Sequence, residues 1–290
     1  MGYSIEVYLI QAMHGLVYGM LLFLVTSGLT LVFGMMGVLN LAHACFYMLG
    51  AYFAYTITLH LGSFWWSLLI CPLIVGALGI FIERFLLRKA YKGGHLLQLL
   101  LTFGLFFIIT ELVRLIWGSS PLSVPPPKIF AGDITVAGMT YPTYRLFIFG
   151  FSFLVLFAMT LLLMRTRIGI IIRAAVLDAD MVEVLGSNVP KVFMSVFGGG
   201  AALAGVAGVI AAPFLSIYLG MGNEVLLDCF VVIVVGGFGS LLGAFIASLM
   251  IGELQSFGIL WIPRLALVFQ FLLMAVVFIV RPTGLFGEKE

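Results

Sequence analysis

Asn40 and His43 stand three residues apart in the apolar stretch GMMGVLNLAHACFYMLGAY, from Gly34 to Tyr52. Inside a membrane, an amide and an imidazole can satisfy backbone groups freed by a helix break, or contact a solute in a cavity. A position at the interface is the third possibility. Tyr47, one turn further on, adds a phenol, and the three are candidates for a solute path. Glu224 and Asp228 lie one turn apart at the start of an apolar run. They suit a helix N-terminus, where carboxylates oppose the dipole, or a wall of the same path. A buried carboxylate such as Asp228 is also what an ion-coupled transporter needs, but this one falls near a segment end.

Charges at the bilayer centre cost ~2.5–3.5 kcal/mol on insertion scales, so each calls for a partner or water. Glu111 and Arg114 have the i, i+3 spacing of an ion pair. Glu83 and Arg84 belong at a solvated edge, Arg264 snorkels to an interface, and Glu253 and Gln255 sit near a membrane edge. His14 and Gln98 are isolated, and such groups more often bond a neighbouring carbonyl than a solute. No His, Cys or acidic pair has metal-ligand spacing. Cys45, Cys71 and Cys229 lie at unrelated spacings and read as small packing residues. With no nucleophile, base or metal constellation, an enzyme is not expected.

The elements that hold these residues follow from composition. Of 290 residues, 63% are hydrophobic and 9% charged, and the mean hydropathy is +1.25. Soluble domains carry about 25% charged residues. The chain is therefore an all-α, polytopic transmembrane bundle rather than a β-barrel, whose strands alternate apolar and polar residues. Spans are expected at 9–33, 38–61, 64–86, 95–117, 144–164, 192–213 and 262–280, and 222–258 is long enough for two passes broken near Gly236, Gly237 and Gly239. That makes eight or nine crossings in one domain, 1–290. No Lys or Arg precedes Arg84, so the first segment reads as a retained span rather than a secretory signal.

Arg84, Arg88, Lys89 and Lys92 fill one loop, and Arg165, Arg167, Arg173 and Lys191 another. These loops face the cytoplasm by the positive-inside rule. Parity places the N-terminus outside. Arg281 and Lys289 draw the C-terminus inward, which favours nine crossings. Trp65, Trp66, Trp117, Tyr141, Tyr144 and Trp261 mark interfaces. Glycine-broken segments at 28–40 and 236–243 hint at corresponding interruptions in two halves, a pattern that marks binding regions in transporters. The Gly236, Gly237 and Gly239 break is accordingly a second candidate for the path. Gly200, Ala204, Gly208 and Ala212, and Gly239, Gly243 and Ala247, form small-residue strips for close helix packing.

The cytoplasmic loop, about 165–191, contains a short helix. Asp178 is its N-cap, Asp180 opposes its dipole, Gly186 stops it, and Pro190 separates it from the next span. Met181, Val184 and Leu185 share one face. So short a helix is marginal alone, so that face must rest on its own protein or dock into a partner.

Three motifs then carry a resemblance. Asn40-Leu41-Ala42-His43 with Met48-Leu49-Gly50-Ala51-Tyr52 is similar to the N-terminal signature of the branched-chain amino acid (Liv-type) permeases of ABC importers. Arg173-Ala174-Ala175, Asp178-Ala179-Asp180 and Leu185-Gly186-Ser187-Asn188-Val189 resemble that family's coupling segment, and Arg281-Pro282-Thr283-Gly284-Leu285-Phe286-Gly287 its C-terminus. The likeness is nearer the H-type than the M-type subunit. Relatives usually carry Gly after the signature His, where this chain has Ala44, then Phe46. They are often basic where this chain has Ile170.

The resemblance implies a transmembrane permease subunit in the cytoplasmic (inner) membrane of a bacterium or archaeon. It would work by alternating access on branched-chain or other hydrophobic amino acids. Its partners would be a second permease, M-type or a similar chain, two ATP-binding subunits, and an extracytoplasmic substrate-binding protein. No cofactor is expected in this chain; ATP and Mg belong on the partner subunits, consistent with the lack of a phosphate-loop motif here. Nucleic acid has no part. Arg173, Asp178, Asp180, Met181, Glu183, Leu185, Gly186 and Asn188 would couple to the ATPase. Similar importers carry urea, short amides or aromatic acids, and the alternative from another class is a stand-alone secondary transporter or channel.

Overall fold

The computed structural model describes residues 4–136 and 139–287, so Lys289 lies outside the described residues. In order, the helices are α1 (Ile5–Met36), α2 (His43–Leu61), α3 (Phe64–Ile82) with its continuation α4 (Arg88–Ala90), α5 (Gly94–Trp117), α6 (Thr143–Arg165), α7 (Arg167–Leu177), α8 (Ala179–Val184), α9 (Val189–Ala211), α10 (Met221–Gly236), α11 (Leu241–Trp261) and α12 (Ala266–Val280). The long outer connection carries a small antiparallel hairpin, β1 (Asp133–Val136) and β2 (Met139–Pro142), with Asp133 opposite Pro142.

Eight helices among the described residues are long and apolar enough to cross a membrane. The ninth, α10, has 16 residues, about 24 Å at the α-helical rise, and a non-helical stretch at 212–220 precedes it. Neighbour contacts orient the passes. Gly34 abuts Gly239, Gly19 abuts Ser248 and Leu249, and Ser256 donates to the Gln11 carbonyl at 2.7 Å; α1 and α11 therefore run antiparallel along their length. The C-terminal segment pairs with the end of α10, through Leu285 N–H to Val235 O and Phe286 N–H to Gly236 O. It thus lies at the same end as Gly34 and Gly239, opposite to residue 5. An odd number of passes follows, nine with α10 included, as the basic loops imply.

Glycines set how closely these helices approach. A Cβ on Gly28 would strike the Gly200 carbonyl, one on Gly50 the Gly205 carbonyl, and one on Gly208 the Tyr47 carbonyl. The strip on α9 is thus the seat for both α1 and α2, the close approach that small residues permit between membrane helices.

This corrects the reading of the glycine-rich segments. Gly28 and Gly34 lie inside a continuous α1, and the first interruption is at 37–42. Gly236 packs on Gly243, and Gly237 (φ +99°) and Gly239 (φ +76°) form the tight turn from α10 to α11 at the basic end. That turn is not an interruption within the bundle; 212–220 is. Glu83 also departs from expectation. It is fully buried and paired with Arg88, not solvated. Glu111 and Arg114 form the expected ion pair.

Backbone cannot yield as a flexible side chain can, and overpacking costs about 1–3 kcal/mol or more. Gly208→Leu should therefore lower the thermal midpoint of the detergent-solubilised chain by several degrees or prevent its accumulation. Gly199→Ala, with open space around its Cβ, should leave the midpoint unchanged. A Gly208→Leu chain that melts with the wild type would refute this packing.

Candidate functional site

Both interruptions return the chain into the interior. After α1 ends at a left-handed Gly37, residues 37–42 turn back so that His43, the first residue of α2, reaches Val25. Its Nε2–H donates to the Val25 carbonyl at 3.0 Å, a position about three turns, or ~16 Å, before the end of α1. On the other side, 212–220 enters from the outer end, held there by reciprocal backbone bonds between Leu122 and Ile217 at 2.8 and 2.9 Å. Gly222, at the start of α10, then sits beside Ala44 and Met48 of α2. Two helices thus begin side by side within the bundle, α2 running outward and α10 running inward.

Beside their starts is a cavity of about 260 Å³, lined by Tyr18, Tyr47, Ser216, Tyr218, Glu224 and Gln255 over a floor of Leu21, Leu22 and Val25. The volume is just under the ~300–1,000 Å³ of typical small-ligand pockets. One carboxylate, three phenols and an amide meet an aliphatic wall there. Such a lining can accept an ammonium at Glu224, exchange hydrogen bonds with a carboxylate, and bury a short apolar side chain. Tyr18 is fixed from behind. Its hydroxyl donates to Asp228 Oδ2 at 2.7 Å, and Gln270 of α12 donates to Asp228 Oδ1 at 3.1 Å. Asp228 is therefore a buried junction of α1, α10 and α12, halfway along α10 rather than at a segment end.

Of the path candidates, the structure brings Tyr47 to this cavity and Asp228 to its rear. Asn40 and His43 are buried behind it. The bond to Val25 ties His43 to a carbonyl inside the continuous α1 rather than to a backbone group freed by a break. Asn40 makes no side-chain hydrogen bond among the described residues, nor does His43 Nδ1. Gly236, Gly237 and Gly239 lie away from it at the basic end, in the α10–α11 turn. Glu253 packs against Gly15 between α1 and α11, and Gln255 lines the cavity. The His14 ring lies tilted against Tyr141, centroids 5.6 Å apart, and Gln98 is buried on α5. Tyr18, Tyr218 and Gln255 were not legible as a group, because nothing in their spacing brings them together.

At the basic end, 166–188 folds as two helices, where a single short one was expected. Thr166 caps α7 by accepting from Gly169 N–H at 3.1 Å, and Asp178 caps α8 by accepting from Met181 N–H at 2.9 Å. Gly186 (φ +89°) ends α8, with Ser187 N–H bonded to Val182 O at 3.2 Å, the six-to-one closure of a Schellman turn. Asn188 caps α9 through Lys191 N–H at 3.1 Å.

Of α8, Val182 is buried and Ala179 packs against the core. Met181, Val184 and Leu185 are 55, 82 and 77% exposed, so they do not rest on their own chain. Asp180 and Glu183 flank them, also exposed. Arg173 sits apart from this face. It donates to the Leu163 carbonyl, locking α7 to the end of α6.

The sequence profile of the family described as the permease component of branched-chain amino acid transport systems matches residues 11–278. The chain is 32% identical to the high-affinity branched-chain amino acid transport system permease protein BraD of Pseudomonas aeruginosa, over 98% of this chain and 97% of that one. It is 30% identical to the corresponding permease protein LivH of Escherichia coli, over 98% and 96%. A probable LivH of Methanocaldococcus jannaschii shares 27% identity over 83% and 78%. No solved structure matches. On the profile and the full-length relatives, the chain belongs to the family of branched-chain amino acid transport permeases.

Proposed function

We propose that this chain is one membrane-spanning subunit of an ABC importer for branched-chain or other hydrophobic amino acids, in the cytoplasmic membrane of its cell. It moves substrate by alternating access and performs no covalent chemistry itself. A second permease completes the pore, two subunits carrying ATP and Mg drive it, and an external binding protein delivers the substrate. The observation that carries this reading is α8: six residues, capped at one end and closed at the other, presenting Met181, Val184 and Leu185 outward. A helix this short has no independent stability, and an apolar face held out at the basic end fits a groove on an ATP-binding subunit, with Asp178, Asp180 and Glu183 as a polar rim.

The cavity beside the α2 and α10 starts is the substrate station in this reading. Glu224 favours a solute bearing an ammonium, which selects an amino acid over urea or a simple amide. The aliphatic floor takes the side chain. Weak binding suffices here, since selectivity rests with the delivering protein.

If α8 is the docking helix, Met181→Ser with Val184→Ser should reduce co-purification of the ATP-binding subunits with the tagged permease by about tenfold or more, the loss expected of central interface anchors. The permease should still accumulate in the membrane. Full recovery of the complex would remove α8 from the interface. If the cavity is the substrate station, Tyr47→Phe should raise the KM of ATP-driven leucine uptake about three- to tenfold, the value of one neutral hydrogen bond, and Glu224→Gln about tenfold or more, the value of one to a charged group. His43→Ala should instead lower the amount of assembled permease and leave KM alone. A KM shift confined to His43→Ala would move the station to the other side of α2.

A further inference from the structure

The end of α3 does not continue as a regular α-helix. Residues Glu83–Leu87 form a π turn, with Arg88 N–H reaching Glu83 O, before the helical course resumes in α4. In an α-helix, residues five apart point about 140° away from one another. In a turn closed from i to i+5 they share a face. The π turn therefore brings Arg88 over Glu83. Arg88 Nη2 lies 2.9 Å from Glu83 Oε2, and Tyr91 donates to Glu83 Oε1 at 3.1 Å. Glu83 is wholly buried, and the Arg88 side chain is 38% exposed. Burial and the Glu83 carboxylate together hold the Tyr91 hydroxyl well above the usual phenol range, so it remains a donor.

This cluster reaches out of its own segment. The same Arg88 Nη2 donates to the Pro190 carbonyl at 3.1 Å, and the Tyr91 ring meets Phe193 edge-on at 6.3 Å. Pro190 and Phe193 form the first turn of α9, and only Leu185–Asn188 separate α9 from α8. A buried ion pair is not needed for stability alone, since well-packed apolar residues often serve as well. What it supplies is a fixed geometry. One guanidinium joins the end of α3 to the carbonyl of a residue that follows the docking helix.

We propose that Glu83 and Arg88 are positioning residues, a brace that makes the end of α3 and the start of α9 move as one body when α8 is displaced. This rests on the docking role of α8. Because α3 and α9 also pack along their length, with Gly79 against Ala201 and Gly76 against Gly198 and Ala202, a push on α8 would shift the pair as a unit.

The test uses the complete transporter, purified through a tag on this chain and reconstituted with ATP inside the vesicles. Radiolabelled leucine uptake and ATP hydrolysis are measured together. Glu83→Gln and Arg88→Gln should lower leucine taken up per ATP hydrolysed about fivefold or more, the low end of coupling between distant sites. The hydrolysis rate itself should change little. Arg88→Lys, which keeps a cation beside Glu83, should recover much of the ratio. An unchanged ratio with only less assembled transporter would reduce the brace to a structural pair and overturn the proposal.

Hydrogen exchange on the permease without its partners separates this from a failure of the docking reading. There, Glu83→Gln should speed exchange in the first turn of α9, and unchanged exchange there would also overturn the brace. If Glu83→Gln lowers the ratio while Met181→Ser with Val184→Ser leaves it unchanged, docking has failed, not the brace. Tyr91→Phe removes a single hydroxyl and, where the larger changes prevent folding, is expected to give the same two effects in smaller degree; no effect on either would count against the brace.

Discussion

Hydrocarbon offers nothing to an unpaired peptide group, and two stretches of this chain leave helical bonding inside the bundle. Each must be surrounded by protein that answers its free groups. At 37–42 Gly37 N–H bonds Phe33 O and His43 N–H bonds Asn40 O, and the Thr102 hydroxyl of α5, bonded to Leu99 O at 3.0 Å, lies 3.4 Å from Leu39 O. At 212–220 Ile217 pairs with Leu122, Phe214 and Leu215 N–H bond Ala211 O, Met221 N–H bonds Tyr218 O, and Tyr144 donates to Ile210 O just before the stretch. The placing of α5, α6 and the outer connection follows from this need. So does the position of the cavity, which sits where the two helices that begin after these stretches come alongside each other.

Close packing is the second half of the same constraint. For α2 to begin at depth beside α10, its backbone must lie almost on α9, and the glycines at 50, 205 and 208 permit that. Met20, Leu22, Phe23, Leu24 and Val25 of α1 are buried, so α1 is the central post on which α9, α10 and α11 lean. The outer helices are different. Much of α5, α6 and α12 is apolar and exposed, as lipid or a second permease would require.

Features that depend on near neighbours in the chain were legible in the sequence. The spans follow from runs of apolar residues, and Asp178 and Gly186 read as cap and stop because each acts within about four positions of itself. The interruptions were misplaced because glycine has two uses. Gly28 and Gly34 admit a neighbouring helix, and only Gly37 turns the chain. Glu83 read as solvated because an α-helical count puts it at the edge, while the π turn rotates it inward. The cavity was not legible as a whole. Tyr18 and Asp228 are joined by a 2.7 Å bond across 210 positions, and no periodicity in either segment announces the other. The eight coupling residues named from the family likeness fall at one end of the bundle, where both α7 and α8 turn apolar side chains outward.

The pairing of Leu122 with Ile217 joins the outer connection to the stretch that leads into α10, and it does so through main-chain atoms alone. Such a tie is indifferent to which side chains flank it. Both positions can drift through evolution without loosening it, and only proline, which has no N–H to give, would remove a strand of the knot. The route from the outer surface to the cavity is thereby held by something no comparison of residue identities would flag.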